Sequence, residues 1–517
     1  MRGFLAIASV QIVKYPAAHE VNGDRFRCLK QRDLPAVPAH MIDAKLRKEV
    51  RAALTQSVGA DKVLWEQADL LPYVKDTLRT DPGEDYRYFP DLVVLPKTTA
   101  EVQAVVKLAA KHKIPLLPKG GGSNRTGMLM PIYGGIIVDT IKMNRVLDVN
   151  VPNLYVDVQP GITLKDLDTH LSSFGVALNQ EQGSFKVATV GGSISTSGFS
   201  RKHQKYGTIS DRVMSLEVVL ADGQVLRTGP KVLYTSTGYR LHQLFIGAEG
   251  TLGIITEATL RVEPIPEASD VVLGFYKDFW AANEGAQKAM SSCVTFVGGE
   301  AFEILDSSRW GAPPGMNGVF YAAVEGTKGE VEAEKNYIER ILEDTGGVLA
   351  KKEDALRLFG RYTEQWCGTR AMSALDNCFT TYVPMERLKE YYGRLWDEVM
   401  AKHGLLPVPG VKLWLDVGRY RMAGGRYLIP PGQAGWDEYQ KAPREIAELV
   451  TSLGGSISAC HGVGLEHKDC LDLEYTEVAL DTMRAVKHAL DPDNIMNPGK
   501  KVPPKGSSRH MGGSARE

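Results

Sequence analysis

An α+β fold is what this sequence predicts, on three observations. A βαβ-like alternation runs from Asp91 to Leu117. Four glycine-rich segments then punctuate a run of strands. After Pro266 strands alternate with long amphipathic helices around a core of their own. At 517 residues the chain exceeds one ordinary core, so two or three domains are expected.

The elements follow in order. Met41 to Val58 has helical periodicity, and a polar stretch leads from it to Arg87. Asp91 to Pro96 reads as a strand and Thr99 to His112 as a helix. Thr98 and Glu101 mark that helix start, and Pro115 to Leu117 closes the unit. Gly135–Asp139 and Tyr155–Gln159 read as strands, and Thr163 to Phe174 as a helix. Ser215 to Ala221 meets Asp222-Gly223 and then Gln224 to Arg227, which signals a hairpin. Leu252 to Val262 is a strand that ends before Pro264 and Pro266. Beyond it, strands are expected at Val271–Tyr276, Val319–Val324 and Cys378–Val383. Helices are expected at Ala282–Ser292, Val331–Glu343, Met385–Lys402 and Glu474–Leu490.

Composition excludes several classes. The net charge of -1 gives no reason to expect nucleic acid or an anionic membrane. No run approaches the roughly 20 apolar residues that span a bilayer. Gly3 to Val13 is apolar but short, and Glu20 and Asp24 argue against a transit peptide, so an ordinary arm is expected. Cys28, Cys293, Cys367, Cys378, Cys460 and Cys470 include no Cys-x-x-Cys pair and read as reduced thiols in a cytoplasmic protein.

The chemistry sits in the glycines. Pro118-Lys119-Gly120-Gly121-Gly122-Ser123-Asn124 follows a strand, and its three glycines let backbone N–H groups approach a diphosphate. Val190–Gly198, Tyr206–Asp211 and Gly247–Ile255 are of the same kind, and together the four read as the lining of one large nucleotide cofactor site. Neither common nucleotide motif fits. Gly127 is followed by Met128-Leu129, not the Lys-Ser or Lys-Thr of a Walker loop, and Pro131 with Gly134-Gly135 prevents the helix a dinucleotide fingerprint requires.

These segments resemble the flavoproteins of the vanillyl-alcohol oxidase and p-cresol methylhydroxylase superfamily, in particular the glycolate oxidase and D-lactate dehydrogenase branch. The resemblance is carried by Pro118–Ser123, Thr189-Val190-Gly191-Gly192, Lys205-Tyr206-Gly207, Gly247 to Ile254, His461-Gly462-Val463-Gly464 and Asn497-Pro498-Gly499-Lys500. It implies FAD held between two lobes of a cofactor domain, with an α+β cap over the substrate. The division it suggests is an arm at 1–40, the FAD domain at 41–266, the cap at 267–453, a segment at 454–502 returning to the FAD domain, and a disordered tail at 503–517.

The resemblance implies that Pro118, Lys119, Gly120, Gly121, Gly122, Ser123 and Asn124 hold the cofactor together with Gly183 to Thr189. Gly191, Gly192, Thr196, Ser197, Gly198, Tyr206 and Gly207 are expected beside them. Glu249, Gly250, Gly253, Ile254 and Ile255 would offer backbone groups to the adenosine half, and Asn497 would contribute from the closing segment. Some relatives attach flavin through a histidine in the first loop. Gly122 stands there in this chain, so non-covalent FAD is expected.

His461 or Tyr420 is the expected base, and Arg370 the expected anchor for a substrate carboxylate, with Arg419 or Arg421. Metal-dependent relatives carry a His-rich motif in the cap and a glutamate before the His-Gly-Val-Gly histidine. Here the stretch reads Asp416 to Tyr427, and Cys460 precedes His461, so no metal is expected. The Tyr420 stretch is instead partly similar to the alkylglycerone-phosphate synthases. The expected reaction is dehydrogenation of a small hydroxylated substrate, most simply a 2-hydroxy acid, with hydride passing to flavin N5. Ether-lipid flavin-adduct chemistry, phenol oxidation and a flavin electron-transfer subunit are the alternatives. The expected partners are a small-molecule substrate and an unidentified electron acceptor, with a homodimer as the assembly left open.

Overall fold

The computed structural model describes residues 42–78, 88–304, 307–368, 376–408, 412–418, 421–430 and 433–505. The arm at 1–40, the tail beyond 505, Arg370, Arg419 and Tyr420 lie outside the described residues.

Two larger sheets, with a two-stranded pair of Val176–Ala177 and Glu263–Pro264, build the first part of the chain. In one, Leu92–Val94, Ile136–Asp139 and Leu116–Lys119 run parallel, and Val63–Leu64 adds an antiparallel edge. The connecting helix Thr99–His112 starts where the Thr98 hydroxyl accepts the Glu101 N–H, and it ends where Lys113 turns left-handed. Its Val102, Val105, Val106 and Ala109 are buried with Leu92, Val94, Ile136 and the helix Ala44–Val58. Each fully buried valine is worth about 1.5–3 kcal/mol relative to exposure. The second sheet is antiparallel, in the order Val146–Asn150, Tyr155–Val158, Ile254–Arg261, Val213–Val219, Val225–Arg227. The expected hairpin is its last pair, and Gly223 takes the positive φ the turn requires.

A third sheet follows. Its path is Val348–Leu349, Ala268–Tyr276, Gly318–Gly326, Gly298–Glu303, Trp414–Val417, Met422–Leu428 and Asp376–Tyr382, all antiparallel, with Leu406–Pro407 on Met422–Leu428. One face packs on the helices Phe279–Met290, Lys328–Asp344 and Ala442–Ser452. The other face turns Tyr321, Phe302, Trp414 and Met422 toward Phe199, Ala459 and Cys460.

The chain end then rejoins the first sheet. Leu116 donates its N–H to the Ile495 carbonyl at 2.7 Å and accepts from the Asn497 N–H at 2.7 Å. Strands Gly298–Glu303, Trp414–Val417 and Met422–Leu428 were not expected. Glycines hid the first and last of these, and Trp414–Val417 is only four residues long. At Gly298 a Cβ would stand 1.9 Å from the Arg201 carbonyl, because the segment Arg201–Lys205 docks on this strand.

Candidate active site

Where the three sheets meet lies a cavity enclosing about 1180 Å³ of space, part of it open to solvent. The structure brings Pro118, Lys119, Gly120, Gly121, Gly122, Ser123, Asn124, Thr189, Gly191, Gly192, Thr196, Gly198, Glu249, Gly250, Gly253, Ile254 and Ile255 to its wall. His461 and Cys460 join them, with Met422 from the cap sheet.

Four of the expected cofactor residues are placed elsewhere. Ser197 lies behind the wall, its Cβ 3.4 Å from where one would sit at Gly247. Tyr206 is buried against Glu325 of the cap, and burial and that carboxylate hold its phenol far above the ordinary value. Gly207 forms a positive-φ turn against Asp211. Asn497 is 1 % exposed and donates to the carbonyls of Glu249 at 2.8 Å and Met128 at 3.2 Å. Sequence reasoning also missed wall residues, among them Gln182, Thr140, Pro160, Arg125 and Met422. None lies in a glycine motif except Arg125, which follows the first loop.

The turn carrying His461 is held from three directions. Asn124 of the first glycine loop donates to the His461 carbonyl at 3.1 Å. The Glu249 carboxylate, buried and at φ +56°, accepts the N–H groups of Val463 at 2.7 Å and Gly464 at 2.9 Å. From the cap strand, Thr380 Oγ1 sits 3.0 Å from His461 Nδ1. Gly464 permits this closure, since a Cβ there would stand 2.2 Å from the Thr126 carbonyl. Cys460 Sγ donates to the same Thr380 hydroxyl at 3.4 Å.

Charged and polar pairs join the cap to the cofactor lobes. Lys202 pairs with Glu325 at 3.2 Å and Glu181 at 3.3 Å, Arg201 with Glu300 at 3.6 Å, and His203 with Asp416 at 3.5 Å. Trp414 Nε1 donates to Glu300 at 2.9 Å. Burial, and then the neighbouring Glu300, push the Asp416 carboxyl well above its usual range. Arg125 crosses the same junction further on, with its guanidinium on Asn377 and Cys378. Among the described residues no three His, Cys, Asp or Glu side chains converge as metal ligands, and no helix is long and apolar enough to cross a membrane.

Residues 90–229 match the family described as the FAD binding domain, and residues 265–501 the one described as FAD linked oxidases, C-terminal domain. The chain is 30% identical over 473 residues to the glycolate oxidase subunit GlcD of Bacillus subtilis (strain 168), covering 88% of this chain and 97% of that one. The chain belongs to the FAD-linked oxidase family. It is also 30% identical over 421 residues to a D-lactate dehydrogenase of Archaeoglobus fulgidus, covering 80% and 91% of the two chains. Among solved structures, alkyldihydroxyacetonephosphate synthase aligns with a TM-score of 0.72 at 21% identity, covering 91% of this chain and 87% of that one. p-Cresol methylhydroxylase aligns at 0.74 and 19%, covering 89% and 97%. Both share the fold. This FAD-linked oxidase is therefore an FAD-dependent oxidoreductase with the p-cresol methylhydroxylase type of cofactor domain.

The cavity wall fits FAD. The N–H groups of Gly121, Gly122, Ser123 and Asn124 donate to no acceptor among the described residues, the arrangement a diphosphate requires. Gln182 has a buried Nε2 that likewise lacks an acceptor among them. Such groups are costly to bury unless a ligand satisfies them. One expectation changes in its reason. A Cβ on Gly121 would stand 1.8 Å from the Val187 carbonyl, so this glycine admits the neighbouring loop, whereas a Cβ on Gly192 would meet only Thr189 Oγ1, at 3.1 Å.

Proposed function

We propose that this oxidoreductase dehydrogenates the CH–OH carbon of a small 2-hydroxy acid of the lactate or glycolate type, on non-covalent FAD. One observation carries the reading. A chain similar along most of its length to a glycolate oxidase subunit and to D-lactate dehydrogenases presents a histidine, His461, on the wall of its FAD cavity. FAD, when bound, supplies the acceptor for the hydride leaving the substrate carbon.

The residues do the rest. His461, fixed by Asn124, Glu249 and Thr380, accepts the hydroxyl proton, with Tyr420 as the alternative. Arg370, with Arg419 or Arg421, holds the carboxylate and sets the distance for transfer. Gly122 leaves the first loop without a side chain for attachment. Pro118 to Asn124, Thr189 to Gly192 and Glu249 to Ile255 would hold the cofactor between them.

Acid precipitation of the purified yellow protein tests the first part, and the flavin should appear in the supernatant. Flavin retained in the pellet would place a covalent bond elsewhere. Anaerobic mixing with D-lactate and glycolate should bleach the flavin, and His461→Asn should slow that bleaching by roughly 10²–10⁴. Bleaching by phenols alone, or an unchanged rate in His461→Asn, would defeat the reading.

A further inference from the structure

His461 forms part of the wall of two cavities. One is the FAD cavity; the other lies on its far side, among Thr380, Thr381, Tyr427, Glu466 and His467. This second cavity leaves about 20 Å³ in which the centre of a water molecule can move, room for one buried water. The Thr380 hydroxyl and the Glu466 carboxylate supply the polar partners such a water needs, while Thr381 directs its own hydroxyl to Tyr391 Oη at 3.0 Å.

The histidine is turned toward it. Nδ1 is the nitrogen beside Thr380 Oγ1, at 3.0 Å, and Thr380 lines the second cavity but not the first. The outer end reaches the surface. Glu466 and His467 are 13% and 18% exposed and stand 3.7 Å apart. Tyr439 donates to Glu466 at 3.5 Å, and Arg125 faces it from the cofactor lobe. Burial holds the Tyr427 and Tyr439 phenols well above their usual value, so they hydrogen-bond here without ionising.

A base enclosed beside a cofactor must discharge its proton before each new turnover. We propose that the proton His461 takes from the substrate leaves through Thr380 and the second cavity to Glu466 and His467, and so to solvent. The inference rests on the reading of His461 as the base. Each step balances. The substrate O–H bond breaks as an N–H bond forms at Nε2, and the Nδ1–H proton passes to Thr380 Oγ1. The threonine's own proton passes to the cavity water and then to the Glu466 carboxylate, which returns one proton to bulk directly or through His467. No relay residue is oxidised or reduced, because the electrons leave separately with the hydride. Exchange with solvent between turnovers restores the starting tautomer.

The test is stopped-flow mixing of the FAD-loaded enzyme with D-lactate, or with glycolate if it reduces faster, in weak buffer with a pH-indicator dye. In the parent, proton release should keep step with flavin reduction. In Thr380→Val and Glu466→Gln, release should lag first-turnover reduction by about tenfold or more, and added imidazole should remove the lag. Thr380→Ser, which keeps the hydroxyl, should stay within about twofold of the parent. A misplaced histidine alone would slow reduction and release together, so the lag is the signature of the relay. Release in step with reduction in both variants, or a lag imidazole does not touch, would overturn the relay while leaving His461 as base. Reduction at the parent rate in His461→Asn would instead overturn the base and the relay with it.

Discussion

The two sides of the FAD cavity are built from different material. On the cofactor lobes the wall is built largely on glycine loops, where the N–H groups of Gly121, Gly122, Ser123 and Asn124 donate to no acceptor among the described residues, with a few side chains such as Gln182 and Thr140 between them. On the cap side it is side chains carried by strands and turns, namely Met422, Cys460 and His461, braced by Thr380. A backbone wall suits a diphosphate and its nucleotide, which main-chain N–H groups can hold without a particular side chain. A side-chain wall can change its chemistry by single substitutions without disturbing the cofactor. Specificity in this enzyme should therefore respond to the cap, and cofactor retention to the loops.

The sharpest way to break that comparison lies within the loops. Gly121→Ala places a methyl group 1.8 Å from the Val187 carbonyl, a contact that no side chain can relieve by rotating. Loop and neighbour must separate, at a cost of about 1–3 kcal/mol or more, and FAD should be lost with the stability. Gly192→Ala meets only a hydroxyl at 3.1 Å and lies inside the short helix Val190–Ser195. Its apo form should be as stable as the parent or more stable by about 0.5–1 kcal/mol, while FAD affinity falls about tenfold. Differential scanning of apo and FAD-loaded protein reads both. Equal melting of the two apo variants would show that the loops do not divide into packing and ligand positions.

That contrast also explains what the sequence could reveal. Gly120 to Asn124 and Glu249 to Ile255 were legible because a backbone wall demands glycine at fixed places, and glycine is conspicuous. Three of the cap strands, Gly298–Glu303, Trp414–Val417 and Met422–Leu428, were not. Gly298-Gly299 and Gly424-Gly425 break the alternation that marks a strand, yet each is there because a neighbouring backbone or ring occupies the space of a side chain. The helix Thr99–His112 was read to the residue, since its cap and its buried valines are both local signals. Gln182 and Met422 carry no local signal, as only the fold brings them to the cavity. Tyr206, Gly207 and Asn497 show the converse. Their motifs are prominent, but their work in the structure is to join elements: Tyr206 to Glu325, and Asn497 to the Glu249 carbonyl.

Glu249 belongs to both walls, and so it sharpens the comparison. It lines the FAD cavity, while its carboxylate holds the N–H groups of Val463 and Gly464 in the His461 turn. Glu249→Gln keeps one acceptor oxygen but turns an amide N–H₂ against a donor, and it removes charge from bonds worth about 1.5–3 kcal/mol each. Flavin content should stay near the parent's. If His461 is the base proposed above, flavin reduction should slow by about 10- to 100-fold, because its turn is less firmly held. Reduction at the parent rate with unchanged thermal stability would show that the turn is fixed without this carboxylate.

The smallest effect concerns the closing segment that ties the first loop to the chain end. Lys500 is 4 % exposed and donates to the Met130 carbonyl at 2.7 Å. Burial lowers its ammonium to about 7, only partly opposed by Asp76, whose own carboxyl burial raises to about 6. A lysine lowered by folding disfavours its charged form in the native state. Its contribution to stability is then present above the unfolded value, near 10.4, and is lost as pH falls toward 7. Asp76 acts in a separate window, between the ordinary carboxylate value and about 6, so it does not mask this one. The unfolding free energy of the parent should therefore rise relative to Lys500→Met between pH 7 and about 10, with a slope of at most about 1.4 kcal/mol per pH unit. Below pH 7 the difference should stop changing. Parallel stability curves from pH 7 to 10 would mean that Lys500 keeps its charge in the fold, and that water or the Asp76 carboxylate reaches it after all.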